Sequence, residues 1–192
     1  MRRCLISANW KMHGTVASIE AYLETLVERV GPDGPEVVVC PPFTLLPAAL
    51  LIASGSEVAV GAQNCHWGDA GAFTGEVAAP MLAELGAQWV IVGHSERRQH
   101  FGETDETAAA RAKAAQRAGL SVIFCLGETL EQRDAGETLA VLERQSAALA
   151  GRLTVAAWVR PDKLGTQYLV KKAETGLTDG YELALSSGGK WF

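Results

Sequence analysis

No apolar run in these 192 residues approaches the roughly 20 that a membrane-spanning helix needs. Two arginines stand near the start, but the short apolar stretch behind them is broken by Asn9 and Lys11, so a cleaved leader is not expected. Basic charge is scarce: 17 Lys and Arg against 22 Asp and Glu leave a net charge of -5. That argues against a nucleic-acid partner held on a general basic surface, while leaving room for a local cationic pocket. Cys4, Cys40, Cys65 and Cys125 form no C-x-x-C pair, and three of them sit in or beside apolar strands, where buried free thiols are common. A reducing cytoplasm is the expected compartment. Ligand-type side chains are not clustered at metal-binding spacings, so no metal or organic cofactor is expected. No G-x-G-x-x-G follows the first apolar strand, which removes support for a dinucleotide-binding fold.

What the chain does have is alternation. Short apolar runs at 3–8, 37–40, 58–60, 89–92, 122–125 and 153–159 read as strands. Helical spacing or helix-forming composition fills 16–30, 44–53, 104–118 and 138–150, and Pro80 opens a short helix of its own. Strands that are hydrophobic throughout, each followed by a helix, imply a parallel sheet covered by helices. Pattern alone leaves open whether that sheet closes into a barrel. The loop 63–79 is polar, glycine-rich and too long to be a mere connector.

Composition changes after residue 158. Up to that point there are 12 Lys and Arg against 18 Asp and Glu; beyond it, 5 against 4. Alanine nearly vanishes, and 167–170 and 181–185 read as strands separated by Thr-Gly and Asp-Gly turn signals. The sequence therefore predicts an α/β part over 1–158 and a β-rich tail over 159–192.

Reactive side chains gather where parallel strands end, because those ends open onto one face. The first strand runs into Asn9-Trp10-Lys11, and the fourth into Gly93-His94-Ser95-Glu96. A lysine, a histidine and an asparagine are thus candidates for one site. His13, His66 and His100 lack that placement and read as structural or surface residues, and Cys125 as a packing residue.

Six motifs occur in order at strand ends: Ala8-Asn9-Trp10-Lys11-Met12, Cys40-Pro41-Pro42, Gly61-Ala62-Gln63-Asn64, Gly71-Ala72-Phe73-Thr74-Gly75-Glu76, Gly93-His94-Ser95-Glu96-Arg97-Arg98 and Cys125-Leu126-Gly127-Glu128. Together they make residues 1–158 resemble the triosephosphate isomerase family. The resemblance implies a (β/α) TIM-type barrel, here incomplete at about five to six of eight units. It implies interconversion of dihydroxyacetone phosphate and glyceraldehyde 3-phosphate through an enediolate. In that reading His94 polarises the substrate carbonyl, Lys11 supplies positive charge and Asn9 orients the substrate. Glu96 has two open readings, as the partner of Lys11 or as a first-turn acid complementing the helix dipole. The segment Phe73, Thr74, Gly75, Glu76 resembles a loop that docks one subunit against another, implying a homodimer.

The resemblance stops at Val155-Ala156-Ala157-Trp158-Val159-Arg160-Pro161, where the family carries its catalytic glutamate and this chain carries none. The later phosphate-binding motifs are absent too, so weak or no activity is expected of the chain as it stands. Residues 163–192 weakly resemble the opening strands of a concanavalin-like, laminin-G-type sandwich. Two alternatives follow: a non-catalytic fusion or fragment whose tail binds carbohydrate or protein, and a gene-model artefact.

Overall fold

The computed structural model describes residues 4–147, 154–156, 167–172 and 181–185. Strands β1 (Leu5–Asn9), β2 (Glu36–Cys40), β3 (Val58–Ala62), β4 (Trp89–Val92), β5 (Ser121–Cys125) and β6 (Thr154–Ala156) lie side by side in chain order. Every pairing between them is parallel. Helices α1 (Val16–Val27), α2 (Leu46–Ala53), α3 (Ala79–Leu85), α4 (Ser95–His100), α5 (Asp105–Arg117), α6 (Leu130–Asp134) and α7 (Thr138–Ala147) follow the strands, with a 3-10 turn over Phe43–Leu45 leading into α2. This is the expected incomplete parallel (β/α) barrel, with five full strands and a short sixth. Strands β7 (Gln167–Lys172) and β8 (Tyr181–Leu185) form a separate antiparallel pair. The composition boundary at 158 lies outside the described residues.

Helices α1 and α5 begin where a threonine side chain supplies an acceptor for their first free N–H groups. Thr15 and Ser18 form a reciprocal capping box at α1, as Thr104 and Thr107 do at α5. Pro80 stands in the first turn of α3, where a missing N–H costs nothing, and Gly86 closes that helix in the left-handed region at φ 97°. Helix α1 ends at Val27, three residues before the apolar pattern does, because Glu28 caps it and Val30 packs from the following turn.

Alternate residues of each strand face opposite ways, and both ways lead to apolar packing. Val39, Val60, Val90, Val92, Val122 and Phe124 face the helices and join Ile19, Leu23, Leu46 and Leu82 in the larger core. Val38, Cys40, Trp89, Ile91 and Ile123 form a second cluster on the other face, the inside of the curve. Strand β4 is accordingly buried at all four positions. Strand β1 is not: among the described residues it pairs only with β2, Ile6 is 51 % exposed, and Cys4 just before it is exposed. The expectation that the strand-associated cysteines are buried therefore fails at Cys4, because a sheet edge has no neighbour to cover it.

Gly61 lets β3 approach its neighbours on the inner face. A Cβ there would lie 2.8 Å from Cys40 Sγ and 2.9 Å from Trp89 Cβ, both in well-packed surroundings. Gly61→Val should therefore destabilise the fold by about 1–3 kcal/mol, the usual cost of overpacking, read from the urea midpoint. An unchanged midpoint would show that the inner layer is not packed as described.

Candidate active site

The candidate residues converge because parallel strands deliver their C-terminal ends to one side. Asn9 is the last residue of β1, and Lys11 follows two residues later. Lys11 is the one non-glycine residue among those described with a left-handed backbone, at φ 53°. Such a conformation costs on the order of 1–3 kcal/mol and persists only when the surroundings hold it. Here Asn9 Oδ1 accepts the Lys11 N–H at 3.0 Å, and Gln63 Nε2 donates to the Lys11 carbonyl at 2.9 Å. Gln63 also donates to the Cys40 carbonyl at 2.8 Å, which in turn accepts the Trp10 N–H at 3.0 Å. One amide from the end of β3 thus ties the β1 and β2 loops together. Gln63 belongs to a motif quoted above, but nothing local signalled this role, since its partner Lys11 lies 52 residues away.

On the other side, β4 ends at Val92 and Gly93 turns the chain at φ 76°. His94 caps α4, its Nδ1 accepting the Glu96 N–H at 3.2 Å. With Nδ1 engaged as an acceptor, the neutral ring carries its proton on Nε2, which is then a donor. Burial holds the His94 pKa below the ordinary histidine value; Lys11 pushes the same way, while Glu96 and Glu103 oppose it. Glu96 Oε1 lies 2.6 Å from Lys11 Nζ, and its Oε2 lies 3.7 Å from His94 Nδ1. The Lys11 hydrogen bond is the main reason the Glu96 carboxyl sits below its usual range. Both readings of Glu96 are therefore compatible with its place, since it stands in the first turn of α4 and also pairs with Lys11.

The expected docking segment lies in the loop after β3. His66 and Val77 close the base of this loop with a 2.8 Å backbone bond, and His66 packs against the rings of Trp67 and Phe73. Phe73, Thr74, Gly75 and Glu76 form its exposed tip, with Phe73 48 % exposed. His66 is itself buried, consistent with a structural role. Among the described residues no group of three or more His, Cys, Asp or Glu is placed to hold a metal ion. A cavity of about 430 Å³ opens at the opposite, N-terminal ends of the strands, between Glu36, Val58, Trp89 and Ser121, and touches none of the candidate residues.

The charges around His94 predict opposite shifts from two substitutions. Lys11→Met should raise the His94 pKa and Glu96→Gln should lower it, both measurable by NMR titration of the imidazole. Because folded His94 binds its proton less tightly than the unfolded chain does, its stability penalty is absent above the ordinary histidine value. The penalty grows as pH falls through the lowered one. His94→Gln should remove that part of the acid-side loss, and an unaltered pH–stability curve would contradict the burial described.

The triosephosphate isomerase family model matches residues 4–161. Triosephosphate isomerase from Moorella thermoacetica is 53 % identical over 145 residues, covering 76 % of this chain and 58 % of that protein. The protein of the same name from a Picosynechococcus species is 53 % identical over 147 residues, covering 76 % and 61 %. The crystal structure of triosephosphate isomerase from Bartonella henselae superposes with a TM-score of 0.71 at 42 % identity, covering 77 % of this chain and 61 % of that one. The chain thus spans about three-fifths of the length of the relatives it matches. The comparisons lend no support to the sandwich resemblance of residues 163–192, or to the alternatives built on it. With its first 150-odd residues matched in both sequence and backbone, the chain belongs to the triosephosphate isomerase family.

Proposed function

We propose that this chain carries the carbonyl-polarising half of a triose phosphate isomerase site, built from Asn9, Lys11, His94 and Glu96. The observation that carries this reading is the state of His94: a half-buried ring with Nδ1 engaged by the Glu96 N–H and Nε2 left to donate. Interconverting dihydroxyacetone phosphate and glyceraldehyde 3-phosphate requires loss of a carbon-bound proton next to a carbonyl. The electron pair left behind becomes an enediolate whose negative charge rests on the former carbonyl oxygen. A neutral imidazole donating from Nε2 stabilises that oxygen without placing a full charge beside Lys11. Lys11 offers its ammonium to the same anionic substrate, and Glu96 holds that ammonium at 2.6 Å while compensating its charge. Asn9 spends its Oδ1 on the Lys11 backbone, which leaves its amide group free to face substrate.

The proton acceptor is the part that this half does not supply. Glu96 is engaged with Lys11, and no glutamate occurs in residues 155–161. General-base catalysis contributes on the order of 100- to 10,000-fold, so the chain by itself should bind triose phosphate yet turn it over slowly. In a coupled assay, turnover should fall at least about a hundredfold below an ordinary family enzyme. Turnover within that range would sink the half-site reading. Lys11→Met should weaken dihydroxyacetone phosphate binding in calorimetry, because it removes the cation; unchanged affinity would exclude Lys11 from the site.

The loop tip at Phe73 fits a homodimer contact, an aromatic ring held half-exposed by a rigid base. Phe73→Asp should shift the sedimentation behaviour of the chain from dimer to monomer, and no shift would remove that reading. Among the described residues no helix is long and apolar enough to cross a membrane. A cytoplasmic setting fits chemistry on a small phosphorylated sugar, and the tail after 158 is best read as a unit distinct from the barrel segment.

A further inference from the structure

The residue before His94 is gripped at both ends of its peptide backbone by side chains from outside the strand. Glu103 Oε1 accepts the Gly93 N–H at 2.7 Å. Arg98 Nε donates to the Gly93 carbonyl at 2.8 Å. Neither bond belongs to the sheet, since β4 ends at Val92. Glu103 is a fully buried carboxylate, its side chain 0 % exposed, and such a charge persists only when it is paired and hydrogen-bonded. Its Oε2 lies 2.8 Å from Arg97 Nε and 3.3 Å from Arg111 Nε. Arg98 is fixed in turn by Asp105 Oδ1 at 2.6 Å, and Asp105 Oδ2 takes Arg144 at 2.9 Å. There is no room to replace this grip with a side chain on the turn itself, because a Cβ on Gly93 would lie 2.9 Å from the Cys125 carbonyl and 3.2 Å from Arg98.

We infer that Glu103 and Arg98 are positioning residues for His94: by clamping the Gly93 backbone they set where α4 starts and hold the imidazole with Nδ1 on the Glu96 N–H. The Nε2–H form, the donor face of the site, then depends on two side chains that touch no substrate. This inference rests on the role proposed above for His94, and it places control of that role in Arg98 on α4 and Glu103 in the loop between α4 and α5.

The test uses the whole chain and reads the His94 ring directly. In the unmodified chain, long-range proton–nitrogen NMR should show His94 as a single Nε2–H tautomer, and the Gly93 amide proton should resonate far downfield, as expected for a short bond to a carboxylate. Glu103→Leu and Arg98→Met should each convert His94 to a mixture of tautomers and weaken dihydroxyacetone phosphate binding by about tenfold. Arg111→Met, which removes a partner of Glu103 but leaves Gly93 clamped, should lower the melting temperature while leaving the His94 tautomer intact. The inference is overturned if a folded Glu103→Leu or Arg98→Met chain keeps the single tautomer, or if Arg111→Met disturbs it equally. Should both clamp variants fail to fold, an ordinary Gly93 amide shift in the unmodified chain overturns it and a downfield one supports it. Failure of the unmodified chain to bind dihydroxyacetone phosphate would count against the half-site reading alone, because the tautomer measurement needs no ligand.

Discussion

Parallel pairing is the constraint from which the rest of this molecule follows. Strands laid side by side in one direction must each be joined by a crossover, so helices cover one face and the sheet must find apolar packing for the other. In this chain the second face is packed by Val38, Cys40, Trp89, Ile91 and Ile123, drawn from strands that are not all neighbours. That layer lets hydrophobic runs such as 89–92 be buried on both sides at once. The same parallel order sends Asn9 and Gly93 to one side, where a lysine loop and a histidine turn can meet although they lie far apart in sequence.

Two kinds of ion pair sit beside that meeting point, and they do different work. The Lys11–Glu96 pair is about half exposed, so it adds little to stability, and its value lies in placing a charge. The Glu103 carboxylate is fully buried between Arg97 and Arg111, so its loss would leave two guanidinium charges without their shared counter-charge. The exposed pair thus serves placement alone, whereas Glu103 joins a buried ion pair to a bond on the Gly93 backbone. Arg111 extends the buried group further, its guanidinium lying 4.7 Å over the Trp67 ring at the base of the Phe73 loop.

The exposed side of β1 is the complement of this arrangement. Ile6 on the strand, and Val16 and Tyr22 on the helix after it, remain substantially open to solvent, whereas the strands with two neighbours bury nearly all their apolar residues. Burial in a parallel sheet is a property of having neighbours on both sides, and it cannot be assigned to a strand from its composition. Leu5-Ile6 is as hydrophobic as many residues in β2, yet only β2 is enclosed.

The sequence by itself determined the alternation of strands and helices, the parallel class of the sheet and the motif residues at strand ends. These are local patterns of period and punctuation that one segment carries alone. It also held signals easily passed over: Thr129 followed three residues later by Gln132 is a capping box, and α6 begins there. Only the tertiary structure decided which side chains meet. Gln63 reaches back 52 residues to Lys11, Cys4 lies open beside an edge strand, and the clamp on Gly93 is assembled from residues on α4 and the loop behind it. Glu103 shows the reason most plainly. On paper it is one more acid in an acidic chain, and it becomes a buried acceptor only because the packing of α5 against β4 removes water and leaves a backbone N–H facing it.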